Sequence, residues 1–118
     1  MREAVDVSSL VALRKLQPAD RPDAVARIVT HFLRESDERL VAMVAAAAAN
    51  DPLVLERCAH ALKGITGTVG ANEMFDLAVR LEQIGREGHT DGAADLVTDL
   101  EAALGRARPI FNRLREAS

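Results

Sequence analysis

The sequence has few aromatic residues and one cysteine, and these scarcities exclude several classes of protein. Among its 118 residues are three Phe, no Trp and no Tyr, too few to build the aromatic stacking surface that binds single-stranded nucleic acid. The single cysteine, Cys58, can form neither an internal disulfide nor a zinc cluster, which fits a reducing compartment. The net charge of -3 provides no basic field that would attract phosphate backbones. Nucleic acid is therefore not an expected partner.

Long apolar runs and a secretory leader are also missing. The longest uncharged apolar stretch runs from Leu40 to Ala49, ten residues of which six are alanine, whereas a membrane-spanning helix needs about 20 such residues. The first residues lack the basic and then apolar pattern of a signal peptide. We therefore expect a cytoplasmic protein, or a cytoplasmic part of a larger one, without direct insertion into a membrane.

The residues that are present predict an all-α fold. Leu, Ala, Arg and Glu dominate, runs of β-branched residues are absent, and the Pro, Gly, Asn and Asp residues fall at intervals that suit helices. Apolar residues at helical spacing predict five helices: a short one over 6–16, then 22–49, 52–69, a fourth that starts near 72 and ends near 85–88, and a last one through 96–114. Long helices with short links pack as antiparallel neighbours. We predict one domain over 1–118: an antiparallel four-helix bundle, its core over about 22–116, with a short additional N-terminal helix.

Particular residues are expected to begin or end these helices. Pro22 suits the first turn of the second helix and Pro52 that of the third. The expected N-caps are Asp51 for the third helix, Asn72 for the fourth and Thr90 or Asp91 for the fifth. Pro109 is expected to kink the last helix or to mark its effective end.

The third helix carries a face that does not resemble a buried one. At about 100° per residue, the buried stripe is predicted to consist of Leu55, Cys58, Leu62, Ile65 and Val69. His60 therefore points away from the core, with Lys63 one turn later on the same face. Gly64 and Gly67 follow, although a glycine in a helix interior costs about 1 kcal/mol relative to alanine. Either they leave His60 open to an incoming molecule or they allow another helix to pack closely, and the spacing favours neither.

The pairing of His60 with Lys63 favours phosphoryl chemistry. Histidine can act as a neutral nitrogen nucleophile near neutral pH. The chain has thirteen arginines but only two lysines, and an ammonium group one turn from the imidazole can pair with phosphoryl oxygens. Either residue alone would be interpreted as an ordinary surface side chain, so the hypothesis depends on the two together.

The segment 60–70, HALKGITGTVG, resembles the motif of histidine-containing phosphotransfer (HPt) domains, in which His-x-Leu-Lys-Gly is followed, after five further residues, by Gly. The resemblance covers about 22–111. It extends to the helix lengths, to the pattern Phe32-Leu33 with Arg39-Leu40, and to the pattern Leu81-Glu82 with Gly85-Arg86.

The resemblance implies a role for each matching residue of the third helix. His60 would accept and donate the phosphoryl group, and Lys63 would stabilise it electrostatically. Gly64 would keep the approach open for a partner, and Gly70 would allow the turn into the fourth helix. Gly67 departs from the family, in which a small residue such as Ala or Ser is more usual.

Two residues of the fourth helix are also implied to support the site. Glu82 falls where family members often have Gln or Glu near the active histidine, and Arg86 falls where a basic residue is sometimes used. The spacing leaves a second interpretation open, because Glu82 and Arg86 could equally form an i,i+4 pair on the helix surface.

The function implied by the resemblance is that of a phosphocarrier in a two-component phosphorelay, and not of an enzyme. His60 would take a phosphoryl group from a receiver-domain aspartate and pass it to another. The expected partners are response-regulator receiver domains, a hybrid sensor histidine kinase or both, and the protein is expected to be a monomer. The sequence has no P-loop, and neither His31 nor His89 has metal-ligand spacing with His60. No cofactor is therefore expected, and Mg²⁺ is expected only on the partner receiver.

Two alternatives remain. A helical module could dock to a receiver domain or a histidine kinase without carrying phosphate. The chain could also be the dimerising phosphoacceptor part of a histidine kinase, but such domains usually supply two helices to a dimeric bundle, and this sequence predicts enough helices for a bundle of its own.

Overall fold

A computed structural model describes residues 2–19 and 23–116, which form helices and no strands. The helices are α1 (Ser8–Leu16), α2 (Ala24–Ala48), α3 (Pro52–Val69), α4 (Asn72–Arg86) and α5 (Ala93–Glu116). Helix α2 packs against α3 and α5, and α4 packs against the same two helices, which closes a four-helix bundle, while α1 packs against α2. This confirms the predicted fold class. The described residues contain no helix with the length and apolar character that crossing a bilayer requires.

The core lies along the axis between the four long helices. The rings of Phe32 on α2 and Phe111 on α5 meet there, with their centroids 4.8 Å apart. On α3, the predicted stripe is buried except for Ile65, which is partly buried at its edge. Thr66 is buried in addition, and it satisfies its hydroxyl within the helix by donating a hydrogen bond to the carbonyl of Leu62 at 2.6 Å. A hydroxyl with such a partner can be buried at little cost, so hydrophobicity alone did not identify this position.

The predicted start of α3 is confirmed. The Asp51 carboxylate accepts a hydrogen bond from the backbone N–H of Val54 at 3.2 Å, and Pro52 is the first helical residue. Asp23 caps α2 in the same way, by accepting from the N–H of Ala26. The predicted place of Pro22 in the first turn of α2 lies outside the described residues.

The predicted N-cap of α4 is wrong. Asn72 is the first residue of the helix, and its side chain donates to the carbonyl of Glu3 at 3.0 Å instead of accepting from α4. The carbonyl of Ala4 accepts the otherwise unpaired N–H of Glu73, also at 3.0 Å. The non-helical segment 2–7, which we call the N-terminal strap, therefore supplies the acceptor for the first turn of α4 that a capping side chain would otherwise supply.

The N-terminal strap also explains why glycine stands at position 70. Gly70 ends α3 in the left-handed conformation, with φ of 82°, and its carbonyl accepts the N–H of Asp6 at 2.8 Å. A Cβ at this position would lie 1.8 Å from the carbonyl oxygen of Asp6. Glycine is required here both by the backbone angle and by the approach of the strap.

The expected N-cap of α5 and the expected end of α5 at Pro109 are both wrong. The helix begins at Ala93, directly after Gly92, so neither Thr90 nor Asp91 occupies the capping position. The Thr90 hydroxyl donates instead to the side chain of Asn50 at 3.1 Å. Pro109 does not end α5, which continues to Glu116. Pro109 and the residue four positions before it are both exposed, so water can replace the hydrogen bond that proline cannot donate.

Candidate functional site

His60 lies near the middle of α3, on the surface that α3 and α4 share. Its side chain is 69% exposed, and its Nδ1 atom lies 2.5 Å from Oε2 of Glu82 on α4. The structure therefore confirms that His60 points away from the core. The ring is open to solvent on one side and held by α4 on the other.

Glu82 is the buried centre of the site, with a side chain that is only 5% exposed. Its second oxygen, Oε1, accepts a hydrogen bond from Nζ of Lys63 at 2.7 Å. The hydrogen bond from Lys63 lowers the pKa of Glu82 below its ordinary value; burial opposes this shift, and the contact with His60 reinforces it. Glu82 is thus an ionised carboxylate that joins the two residues of the motif.

The charge of Glu82 determines which ring nitrogen of His60 carries the proton. An ionised carboxylate can only accept hydrogen bonds, so the Nδ1 atom of His60 must be the donor. In the neutral imidazole the lone pair is then on Nε2, the nitrogen on the opposite edge of the ring. The sequence identified the histidine, and the contact with Glu82 identifies its available nitrogen.

Arg86 completes the charged cluster. Its guanidinium lies 3.4 Å from the Glu82 carboxylate, one turn away on α4, and 3.7 Å from that of Glu56 on α3. Glu82 and Arg86 form the i,i+4 pair that the spacing allowed, but it is not a surface pair, because the Glu82 side chain is buried and also contacts His60 and Lys63.

The close approach of α3 and α4 depends on Gly85, which the sequence placed only near the end of the fourth helix and within the family pattern. Gly85 is buried within α4, one turn after Glu82. A Cβ there would lie 2.7 Å from the carbonyl oxygen of Pro52 and 2.8 Å from the backbone nitrogen of Glu56. Glycine at this position lets the two backbones meet beside the site. A glycine inside the last turn of an otherwise regular helix was the available signal.

Gly64 and Gly67 are placed in different surroundings. A Cβ on Gly64 would meet no atom within 4 Å, whereas one on Gly67 would make an ordinary contact with the Phe75 ring at 3.5 Å. Of the two explanations left open by the sequence, Gly67 fits helix packing, while Gly64 fits an open approach. Gly64 also borders a groove of about 710 Å³ between α2 and α3, floored by Ile28 and Ile65.

A second groove, which we call the α3–α4 groove, adjoins His60 on its other side. It has a volume of about 360 Å³ and is lined by Leu53, Glu56, Arg57, His60, Glu82 and Arg86. The spacing already places Arg57 beside His60 on α3, but as one arginine among thirteen it was not predicted to belong to the site. Across 2–19 and 23–116, no group of three or more His, Cys, Asp or Glu side chains is arranged to hold a metal ion.

Comparison with known proteins matches this geometry to a family. The Hpt domain family model matches residues 27–109, and the chain belongs to that family. It is thus a histidine phosphotransfer module of the kind that operates in phosphorelays.

A solved structure supports the same conclusion. The chain is similar to the crystal structure of histidine-containing phosphotransfer protein B (HptB) from Pseudomonas aeruginosa, with a TM-score of 0.86 and 26% sequence identity over 98% of this chain and 96% of that one. None of the curated proteins searched matches the sequence.

Proposed function

We propose that His60 carries the phosphoryl group: it accepts it from the phosphoaspartate of a receiver domain and donates it to the aspartate of another. The observation that carries this proposal is a histidine with a 69% exposed side chain, held at Nδ1 by the buried carboxylate of Glu82 at 2.5 Å. That contact leaves Nε2 as the nucleophile on the open side of the ring.

The phosphoryl transfer needs no reactant other than His60 and the receiver. The Nε2 lone pair forms the N–P bond while the P–O bond to the aspartyl carboxylate breaks, and its electron pair returns to that carboxylate. The ring proton stays on Nδ1, so the positive charge that develops on the imidazole faces the ionised Glu82. In the onward step the carboxylate of the second receiver attacks phosphorus, the N–P bond breaks, and His60 returns to its neutral form.

Lys63 and Gly64 support this proposal in different ways. The Lys63 ammonium lies 2.7 Å from the Glu82 carboxylate, on the same helix face as His60, and we assign it to electrostatic stabilisation of the phosphoryl group. Gly64 leaves space one turn beyond the histidine, where a partner surface must approach to within bonding distance of Nε2.

The proposed partners are response-regulator receiver domains and hybrid sensor kinases. An acyl phosphate is already reactive, so the proposal needs neither ATP nor a metal ion on this chain. We expect any Mg²⁺ to belong to the receiver, where it would neutralise the phosphoryl oxygens during transfer. The protein would thus act as a carrier whose chemistry is completed by the partner.

Label transfer tests the proposal. Receiver domains encoded in the same genome are charged with labelled phosphate, freed of excess donor and mixed with the wild type, His60→Gln or His89→Gln. His89 is a matched control, because it lies in the α4–α5 link, 3.2 Å from Glu87, and does not line the α3–α4 groove. We expect acid-labile, alkali-stable label on the wild type and on His89→Gln, and at least a 100-fold loss on His60→Gln, since the nucleophile is removed.

The same experiment separates the proposal from its alternative. Label retained on His60→Gln would place the acceptor elsewhere and overturn the assignment. Binding of a receiver without label on any of the three proteins would favour the docking module. A thermal unfolding curve for His60→Gln that matches the wild type would show that loss of label is not loss of fold, which we expect because His60 lies outside the core.

A further inference from the structure

Three cationic side chains surround His60, and two of them already have carboxylate partners. Lys63 is hydrogen-bonded to Glu82 at 2.7 Å, and Arg86 lies between Glu82 and Glu56 at 3.4 and 3.7 Å. The third cation is Arg57, which forms no ion pair with any acidic residue in the ranges 2–19 and 23–116. Its charge is therefore the one that an incoming anion can engage without first displacing a carboxylate.

Arg57 is also a neighbour of the histidine on the surface of α3. It is exposed, it precedes His60 by three residues, and both side chains line the α3–α4 groove. Residues three apart lie on one helix face, so the guanidinium is within the surroundings of the imidazole. Lys63 lies one turn after His60, and its ammonium is held by Glu82, the carboxylate that also holds Nδ1.

The chemistry of the guanidinium suits a phosphoryl group. Arginine presents a planar set of N–H donors that can bind two phosphoryl oxygens at once, and its charge persists at every physiological pH. With Nδ1 held by Glu82, a phosphoryl group on Nε2 would lie on the outer edge of the ring. There it would add about two negative charges beside a cluster whose two carboxylates are already neutralised.

We propose that Arg57 binds the phosphoryl group of phosphorylated His60 and so stabilises the charged form of the carrier. This inference depends on the proposed function, because it requires a phosphoryl group on His60. Arg57 takes no part in the bond changes: it donates N–H hydrogen bonds to phosphoryl oxygens and neither gains nor loses a proton. It is a phosphoryl-binding residue, in addition to Lys63.

The position of the transfer equilibrium tests this role. The protein is mixed with a labelled phosphoreceiver, and the ratio of label on the two proteins is measured once it no longer changes. A residue that only helps docking changes how fast this ratio is reached, whereas a residue that stabilises the phosphohistidine changes the ratio itself. The variants are Arg57→Gln, the charge-conserving Arg57→Lys, and Arg80→Gln as a control at an exposed arginine of α4 outside the groove.

We expect Arg57→Gln to shift the ratio toward the receiver by about five- to tenfold, the size of a partly exposed charged hydrogen bond. Arg57→Lys should give a ratio between those of the wild type and Arg57→Gln, and Arg80→Gln should match the wild type.

An unchanged ratio for Arg57→Gln, with label still on His60, would overturn this inference and leave the carrier function intact. An equal shift in Arg80→Gln would also overturn it, as a general effect of charge. Absence of label on the wild type would overturn the proposed function, and this inference with it.

Discussion

Glu82 combines near-complete burial with contacts to three side chains that reach the surface. A carboxylate in this position remains ionised because Lys63 donates a hydrogen bond to it, and because His60 and Arg86 add to that stabilisation against the cost of burial. The consequence at the scale of one residue is a negative charge behind the histidine ring at neutral pH. An amide at this position could accept the same proton but could not balance the charge that develops on the imidazole.

The lowered pKa of Glu82 makes the stability of the fold depend on acid. A group whose pKa is lower in the folded state contributes stability above its unfolded pKa and loses it as the pH falls through the folded value. We therefore expect Glu82→Gln to reduce the free energy of unfolding at pH 7 by about 1 kcal/mol, a difference that shrinks as the pH falls below the ordinary range of a glutamate. Urea denaturation across that pH range measures it.

The exposed Glu38 provides a matched control for this prediction. Glu38→Gln removes a surface carboxylate without a buried hydrogen bond, so its effect should be within about 0.5 kcal/mol at any pH. A difference between wild type and Glu82→Gln that does not change with pH would show that Glu82 contributes through its shape and not through its charge.

The sequence predicted the residues of the motif far better than their contacts. His60 and Lys63 could be placed on one exposed face because helical periodicity is a local property of α3. The contact between His60 and Glu82 depends on the register of α3 against α4, which is set by the backbone approach at Gly85. No local pattern encodes that distance. The position of Arg57 beside His60 follows from local spacing, but the groove that it shares with Glu82 and Arg86 depends on how α3 packs against α4.

At the scale of helices, the contact between His60 and Glu82 requires a short distance between α3 and α4. Gly85 allows the two backbones to meet within one turn of Glu82, and the carboxylate reaches His60 from there. A wider gap would leave the histidine without its acceptor, even with every charged residue unchanged.

Substitution of two glycines by alanine tests this spacing. Gly85→Ala adds a methyl group 2.7 Å from the Pro52 carbonyl oxygen, so we expect it to reduce the free energy of unfolding by about 1–3 kcal/mol. Gly105→Ala, in α5, adds the same group where no atom lies within 4 Å, so it should raise stability by up to about 1 kcal/mol. Urea denaturation compares the two, and equal effects would mean that the α3–α4 contact tolerates a side chain.

The ends of the helices were predicted less well than their existence. Asp51 was identified because its capping bond closes over three residues. Asn72 was misassigned because the acceptor at the start of α4 is the carbonyl of Ala4, far away in the sequence. Helices could thus be predicted to exist, but their ends only where the partner is a near neighbour.

At the scale of the whole molecule, one chain supplies all four helices of the bundle. The closed set of contacts among α2, α3, α4 and α5 buries their apolar stripes without a second copy. This differs from a dimerising phosphoacceptor domain, in which two chains must meet to complete the core.

We therefore expect a monomer in solution. Light scattering during size-exclusion chromatography should give a mass near 12.7 kDa, unchanged over a hundredfold range of loading concentration. A mass of twice that value, independent of dilution, would contradict the expectation and revive the histidine-kinase alternative.

The exposed position of His60 limits how long a phosphoryl group could remain on it. The side chain is 69% exposed, so water as well as a receiver can reach a phosphoryl group on the ring. Each phosphoryl group would then be divided between hydrolysis and delivery according to the supply of receivers. If His60 carries phosphate as proposed, the duration of a signal would depend both on the rate of hydrolysis at this exposed position and on the concentrations of the partners.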